Sequence, residues 1–272
     1  MWETLKLRAK KWLGMPLPPK PYEIVWQREA ELFGLHRSES SEFFPHFRIA
    51  PSDTLVDVGC GIGGACVFAA DAGAEVIGVD IDAEMIETAS KRLSEETSSR
   101  RWQTHVSDSN PLPLKSGIAT KVICQEVLEH VDDPAKVLSE LARVGRPNAL
   151  YLLSVPDPVA EKVQKDLAPE TYWRKPNHLR IFEREVFDRL VESAGLTIEK
   201  TARYSFYWSM WWILFWAEPQ VTRHFGGPIT PVLRYWNKTW DAVLAAPEGS
   251  RIKKALDDFM PKTRFILARK AA

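Results

Sequence analysis

Apolar runs of strand length alternate with amphipathic or small-residue stretches of helix length between residues 54 and 155. A strand followed by a helix, repeated along the chain, indicates a parallel sheet with helices on both faces. The predicted strands lie at residues 54–58, 75–79, 102–106, 119–124 and 149–155. The predicted helices lie at residues 63–72, 83–95 and 134–144, with Asp133 as a suitable N-cap for the last.

A long segment separates the last two predicted strands. Residues 156–182 are irregular in pattern, and a helix at 183–194 then leads into the sixth strand at 196–203. The seventh strand is predicted at 264–269, so residues 204–263 intervene. Strands of a hairpin are joined by about two to five residues, so this segment is predicted to be an insert. The whole pattern predicts an α/β fold with a seven-stranded, mostly parallel sheet and a helical insert between the last two strands.

The start of the chain is amphipathic and then rich in proline. Residues 1–13 place tryptophan and leucine near one helical face and lysines largely on the other, and a proline-rich linker follows. Such a helix suits either a membrane surface or docking on its own protein. Helices at 22–35 and 41–48 are predicted to cap the core. The predicted domains are the N-terminal amphipathic helix and linker (1–20), the core with its cap helices (21–203), the insert (204–263), and the final strand with its tail (264–272).

Charge and cysteine usage narrow the class of partner. Lys plus Arg and Asp plus Glu both total 36, so the formal net charge is zero. We therefore expect a small-molecule ligand and no nucleic acid. The three cysteines have no CxxC spacing, and we expect no secretory signal ahead of them, which favours a cytoplasmic location.

The first predicted strand ends in an acid and a glycine-rich turn. Gly59, Gly61 and Gly64 match the dinucleotide pattern G-x-G-x-x-G. Asp80 follows about 20 residues later, as that pattern requires. Asp57 argues against a dinucleotide, because its carboxylate would repel the pyrophosphate that such a turn holds. S-adenosylmethionine has no phosphate, and its ammonium group would be attracted to this acid.

The motif D-x-G-x-G-x-G that begins at Asp57, together with V-I-G-V-D-I-D beginning at Val76, resembles the class I S-adenosylmethionine-dependent methyltransferases. The resemblance covers about residues 40–203 and the final strand. It implies a Rossmann-like fold and S-adenosylmethionine as the cofactor.

The resemblance also implies roles for individual side chains. Asp57 would help to hold the amino group of the cofactor, and Asp80 would accept hydrogen bonds from both ribose hydroxyls. Ile81 would pack on the adenine, and Asp108 would accept from its exocyclic amine. The cofactor-binding residues predicted on this basis are Asp57, Gly59, Cys60, Gly61, Gly63, Asp80, Ile81, Asp108 and Gln125.

A second run, C-Q-E-V-L-E-H-V-D-D-P, begins at Cys124 directly after the fourth predicted strand. It resembles the ubiquinone-biosynthesis O-methyltransferases and their small-molecule relatives. Because the carboxyl ends of parallel strands line the ligand crevice, these side chains, Gln125 among them, should meet cofactor or acceptor. His130 is a candidate catalytic base, since an imidazole pKa of about 6.5 suits removing a proton near neutral pH.

His178 precedes the helix before the sixth strand, much as a histidine does in the small-RNA 2′-O-methyltransferases. Those enzymes gather two glutamates and two histidines around Mg²⁺, and the matching set here is Glu126, Glu129, His130 and His178. Such a cation would lower the pKa of an acceptor hydroxyl and orient it. The alternative is that both histidines bond to backbone or close the pocket without metal, because Mg²⁺ prefers oxygen ligands.

Residues 204–217 are uncharged and aromatic nearly all round a helix. The segment is shorter than the roughly 20 apolar residues that span a bilayer. The segment is therefore predicted to be an ordinary buried core helix, a cap helix lining a lipophilic acceptor pocket, a membrane-surface element or a dimer contact. With further helices at 231–246 and 252–260, the insert is predicted to be a helical cap over the acceptor.

These features together predict an enzyme that moves the methyl group of S-adenosylmethionine to a lipophilic or lipid-linked small molecule, most readily to an oxygen. Nitrogen and carbon acceptors are alternatives, as is peripheral contact with the inner face of a membrane. Two other classes of function stay open, an NAD-dependent oxidoreductase and a non-catalytic cofactor-binding interaction protein. The oligomeric state is left open.

Overall fold

The computed structural model describes residues 21–218 and 230–272. The strands in these ranges are β1 (Glu42–Phe44), β2 (Phe47–Arg48), β3 (Thr54–Val58), β4 (Glu75–Asp80), β5 (Trp102–Val106), β6 (Ala119–Gln125), β7 (Gly145–Pro156), β8 (Leu196–Tyr204) and β9 (Thr263–Lys270). The helices are α1 (Pro21–Phe33), α2 (Gly64–Asp71), α3 (Ala83–Glu96), α4 (Pro134–Val144), α5 (Pro158–Lys165), α6 (Arg184–Ser193), α7 (Phe206–Ala217), α8 (Pro231–Ala245) and α9 (Gly249–Phe259). The helix and linker predicted at 1–20 lie outside the described residues.

Seven strands form one sheet in the order β5-β4-β3-β6-β7-β9-β8. The first five strands in this order pair in parallel, while β9 lies antiparallel to both β7 and β8. The predicted seven-stranded, mostly parallel α/β fold is therefore confirmed. The strand order reverses between β3 and β6, and ligands of open α/β sheets bind in the crevice at the carboxyl ends of such neighbours. The fold thus places the ligand crevice beside the glycine turn.

The sheet is buried on both faces, and alternate side chains of one strand enter opposite cores. Val56 and Val58 pack on one face among residues of α4 and α6. Leu55 packs on the other face with residues of α2 and the β1–β2 hairpin. Burying each such side chain contributes about 1.5–3 kcal/mol. The strand that carries Asp57 is consequently one of the best-anchored parts of the molecule.

The prediction of a helix at residues 41–48 is wrong. The segment forms β1 and β2, which pair antiparallel with Phe44 opposite Phe47. Pro45 explains the difference, because proline disfavours helical backbone in the residue before it and removes a backbone donor. His46 turns the chain with a φ of 68°. The aromatic side chains here favour a strand and are buried against the core.

The prediction that residues 156–182 are irregular is wrong for the first part of this range, because that part contains α5. Asp157 caps this helix by accepting a hydrogen bond from the backbone N–H of Val159 at 3.1 Å, and Pro158 occupies its first position. Proline is favoured there because that N–H has no partner within a helix. The same residues that suggested a break therefore start a helix, which buries Glu161 and Gln164.

The insert consists of α7, α8 and α9 in its described part. Every side chain from Phe206 to Trp216 is buried or half-buried, and α7 lies against α5, α8 and α9. This burial favours a packed helix, either an ordinary core helix or a cap, while the acceptor pocket and the membrane and dimer contacts stay predictions. In residues 21–218 and 230–272, no helix has the length and apolar character needed to cross a membrane.

Buried charges join the insert to α1. Glu29 accepts a 2.6 Å hydrogen bond from the indole N–H of Trp240 and lies 3.3 Å from the Nζ atom of Lys253. Lys253 also pairs with Asp257, and this second carboxylate accepts from the backbone N–H of Phe206 at 2.7 Å. The three charged side chains are buried. One cation thus links α1, the start of α7 and α9.

Candidate active site

The glycine turn folds over the end of β4. Gly59, Gly61 and Gly63 all have positive φ, at 74°, 53° and 77°, and the backbone N–H of Gly59 donates to Val79 O at 2.7 Å. A Cβ atom on Gly59 would lie 2.2 Å from Cγ2 of Val127. Glycine is required at this position by both backbone conformation and space. The turn therefore places backbone atoms without side chains at the ligand crevice.

Asp80 ends β4 and connects the turn to the next helix. Its Oδ2 accepts from the backbone N–H of Gly61 at 2.8 Å, and its Oδ1 accepts from that of Asp82 at 3.0 Å. A carboxylate oxygen has a second lone pair, so Asp80 can hold the turn and still accept from a ligand hydroxyl. Asp82 in turn caps α3 by accepting from the N–H of Glu84.

Asp57 is buried in β3, and its Oδ2 lies 3.6 Å from the sulfur of Cys66. A hydrogen bond with Cys60, followed by burial, raises the pKa of the Cys66 thiol well above its usual value. Cys66 therefore stays protonated and donates toward the carboxylate. Cys60, a predicted cofactor residue, is buried, and its thiol lies 3.7 Å from the carbonyl oxygen of Gly61 in the turn.

Three other predicted cofactor residues lie at the carboxyl ends of neighbouring strands. Ile81 follows β4 and is 67% exposed, while Asp108 is exposed just beyond β5 and Gln125 ends β6 half-buried. Val106 was missed from the sequence. It pairs in register with Asp80 and is 55% exposed. Ile81 and Val106 thus provide an open apolar surface beside an acid, which suits an adenine.

A buried polar cluster follows β6. Glu126 accepts from the hydroxyl of Ser154 at 3.2 Å. Its second oxygen lies 3.6 Å from Lys262, whose Nζ is also 3.5 Å from Glu161. Burial raises the pKa of Glu126, although Lys262 opposes the shift. Burial opposes the charge on Glu161 as well, but His178 and then Lys262 outweigh it and lower the pKa of Glu161 to about 2.

The two predicted histidines lie edge to face, with ring centroids 4.9 Å apart and ring planes at 83°. His178 Nδ1 lies 2.7 Å from Glu161 Oε2, and His130 Nδ1 lies 3.0 Å from the carbonyl oxygen of Pro176. A carbonyl can only accept, so we assign the proton of neutral His130 to Nδ1. The same assignment holds for His178 beside a carboxylate. Both Nε2 atoms then carry lone pairs.

Glu129 completes this cluster. It is 1% exposed, and neither carboxylate oxygen has a hydrogen-bond partner among the described residues. Oε1 lies 3.6 Å from Nε2 of His130. Burial, and then the nearby carboxylate of Glu126, raise the pKa of Glu129 well above its usual value. One ligand atom each from Glu129, His130 and His178 lies within 4.8 Å of the others, so three groups that can bind a cation converge.

Backbone hydrogen bonds hold the two segments of the cluster together. The N–H of Leu179 donates to Glu129 O at 2.8 Å. The guanidinium of Arg180 donates to the carbonyl oxygens of Leu128 and Asp132, each at 3.0 Å. Of the four predicted metal ligands, three are therefore brought together, while Glu126 lies beside Lys262.

Sequence reasoning missed Glu161, Lys262 and Tyr172. Glu161 lies on the unpredicted helix α5, and Lys262 directly precedes β9, so neither stands in a recognisable motif. The hydroxyl of Tyr172 lies 3.5 Å from His178 Nε2, and its ring packs 5.1 Å from that of Trp216 on α7. Aromatic residues of the insert thus adjoin the polar cluster.

Comparison with known proteins agrees with this geometry. Residues 56–153 match the family described as methyltransferase domain. The chain is 30% identical over 191 residues to the ubiquinone biosynthesis O-methyltransferase of Hahella chejuensis, covering 63% of this chain and 79% of that protein. It is 28% identical over 131 residues to norajmaline N-methyltransferase of Rauvolfia serpentina, which covers 48% of this chain. The chain spans 40% and 43% of the length of two of the curated relatives it matches.

A solved structure of geranyl diphosphate methyltransferase in complex with S-adenosylmethionine has the same fold. The TM-score is 0.58 at 18% identity, over 89% of this chain and 85% of that one. The chain is also 29% identical over 180 residues to a probable S-adenosylmethionine-dependent methyltransferase of Mycolicibacterium smegmatis, covering 66% of this chain and 59% of that protein. These matches decide between the cofactor classes that the glycine turn left open, in favour of S-adenosylmethionine. The chain belongs to the class I S-adenosylmethionine-dependent methyltransferases.

Proposed function

We propose that this protein transfers the methyl group of S-adenosylmethionine to an oxygen of a lipophilic small molecule. The observation that supports the acceptor side is the convergence of Glu129, His130 and His178 next to aromatic residues of α7. Polar acceptor atoms suit a hydroxyl, and the aromatic surroundings suit an apolar body. The relatives named above include both an O- and an N-methyltransferase, so the receiving atom is part of the proposal.

For methyl transfer, the protein has to align the acceptor atom with the methyl group and accept the proton of the acceptor. The acceptor oxygen attacks the methyl carbon, the bond from carbon to sulfur breaks, and S-adenosylhomocysteine leaves. The hydroxyl proton goes to Nε2 of His130, whose Nδ1 is held by the Pro176 carbonyl. Asp57 and Asp80 hold the cofactor, and the apolar cap excludes water. His130 is therefore the proposed catalytic base.

Binding and turnover test this proposal in sequence. We expect S-adenosylmethionine and S-adenosylhomocysteine to raise the melting temperature of the protein, and NAD to leave it unchanged, because only a bound ligand stabilises the folded state. Incubation with methyl-labelled cofactor and an organic extract of bacterial membranes should then place label in a product that partitions into the organic phase. Stabilisation without any labelled product would favour the non-catalytic alternative.

Binding a divalent cation is the alternative role proposed for His130, because its single Nε2 lone pair can either accept the hydroxyl proton or bind a cation. Glu129, His130 and His178 would hold it, and the buried, unpartnered carboxylate of Glu129 fits such a charge. When bound, the cation would lower the pKa of an acceptor hydroxyl and orient it. Two imidazoles beside one carboxylate are a donor set better suited to a transition metal than to the Mg²⁺ first predicted.

Metal removal separates the two roles of His130. If the cation takes part, dialysis against a strong chelator should reduce methyl transfer at least about 10-fold, and Mn²⁺ should restore it. The cofactor-induced rise in melting temperature should not change, because Asp57 and Asp80 lie outside the cluster. Activity that survives both chelation and His130→Ala would leave neither the base nor the cation role standing.

A further inference from the structure

A buried ion pair lies behind His178. Glu161 on α5 contacts His178 Nδ1 at 2.7 Å through Oε2, and its Oε1 lies 3.5 Å from Nζ of Lys262. All three side chains are buried. Two charges in such a place are weak evidence for stability, since apolar side chains of similar volume often serve as well. Stability alone therefore does not explain why Glu161 and Lys262 are buried beside His178.

Glu161 fixes which nitrogen of His178 carries the proton. A neutral imidazole has one N–H, and the carboxylate can only accept, so the proton lies on Nδ1. Nε2 is then left with a lone pair, which lies 3.5 Å from the hydroxyl of Tyr172 and can be the ligand atom that His178 contributes beside Glu129 and His130. Without Glu161 the proton could occupy Nε2, which would place a donor where the cluster needs an acceptor. A carboxylate in this position typically changes metal affinity by about 10–100-fold.

Lys262 keeps Glu161 in place. Its backbone N–H donates to the carbonyl oxygens of Tyr204 and Ser205 at 2.9 and 3.0 Å. Its own carbonyl oxygen accepts from the N–H of Asp157 at 2.9 Å. Lys262 is thus bonded to the end of β8 and to the cap of α5. The ammonium group lies between Glu161 and Glu126, which balances the carboxylate that faces His178.

We propose that Glu161, held by Lys262, is a positioning residue that sets the tautomer of His178 and so presents its Nε2 lone pair, with Glu129 and His130, to a divalent cation. The inference rests on the proposed function, because it takes this cluster as the acceptor side of a methyltransferase. The test of this inference does not measure methyl transfer. The inference about Glu161 and the proposed function can therefore fail separately.

The experiment compares the intact protein with two variants that remove the acceptor. Glu161→Leu is the single change, which leaves Lys262 beside Glu126, and the double variant Glu161→Leu with Lys262→Met replaces the ion pair by apolar side chains of similar size. Nitrogen-15 NMR of the imidazoles reports the tautomer in metal-free protein. Titration with Co²⁺, followed by its visible absorption, reports affinity. Glu170→Leu is the matched control, since this carboxylate is exposed and pairs with Arg174 at the surface.

In wild-type protein we expect His178 to carry its proton on Nδ1 and the protein to bind one equivalent of Co²⁺. In both test variants the proton should shift toward Nε2, and the Co²⁺ affinity should fall about 10–100-fold, with no change in the control. Wild-type protein that binds no Co²⁺, or variants that match it in tautomer and affinity, would overturn the inference. Methyl transfer by the same wild-type sample, measured with labelled S-adenosylmethionine as described above, tests the proposed function independently.

Discussion

Asp80→Asn is expected to weaken S-adenosylmethionine binding about 100-fold. An asparagine replaces one carboxylate oxygen by an NH₂ group, which must then face the backbone N–H of either Gly61 or Asp82. A buried donor left without an acceptor costs about 1–3 kcal/mol. The variant also loses a charged acceptor for one ribose hydroxyl, worth about 1.5–3 kcal/mol. Isothermal titration calorimetry with the cofactor measures this second loss, at about 1.4 kcal/mol for each factor of ten, whereas the first loss is present in the free protein too and lowers its stability.

Asp82→Asn is the matched control for this change. The residue lies in the same loop, and it caps α3 through its side chain. Asparagine caps a helix about as well as aspartate, so cofactor affinity should stay within a factor of about two. Equal affinity of Asp80→Asn and wild type would show that Asp80 contacts neither the turn nor the ribose in the way proposed. Urea unfolding of both variants excludes a loss of fold as the cause.

The central sheet could be predicted because its elements are defined locally. Strand β5 and helix α4 have the predicted bounds, since each combines a clear hydrophobic period with a terminal signal such as Asp133. The glycine turn was recognisable for the same reason. Its conformation depends on residues that are neighbours in sequence, and on the acid that follows one strand later.

Prediction failed where distant residues decide the outcome. Glu161 and Lys262 are separated by about a hundred residues, and nothing near either one marks it as part of a site. Glu126, Glu129 and His130 are adjacent in sequence, yet only two of them converge with His178. Their turn gives Glu126 a φ of 54° and directs its carboxylate to Ser154 and Lys262. The direction of the Glu126 side chain depends on contacts made in the assembled fold, and no local sequence pattern indicates it.

Lys253→Met is expected to lower the free energy of unfolding by about 3–5 kcal/mol at pH 7. Removing one partner of a buried ion pair leaves the other charges uncompensated, which is far more costly than losing an exposed pair. Glu29 lies 3.3 Å from Nζ of Lys253, and Asp257 is in direct contact with it. Methionine preserves the length of the apolar stem, so the loss reports charge more than a cavity. Urea unfolding followed by tryptophan fluorescence measures it.

Lys254→Met is the matched control, because this neighbouring lysine is 79% exposed and pairs with Asp258 at the surface. Its unfolding free energy should change by less than about 0.5 kcal/mol.

The pH dependence of the unfolding free energy of Lys253→Met gives a second test. Burial already raises the pKa of Glu29 and Asp257 above 4.5 and 3.8, and Lys253 opposes this shift, so its removal raises both further. The folded variant then binds more protons than the unfolded chain above those values, and its stability falls as pH rises. The deficit of Lys253→Met should therefore be smaller at pH 5 than at pH 7, whereas equal unfolding of the two lysine variants at pH 7 would mean that these buried charges do not hold the insert to α1.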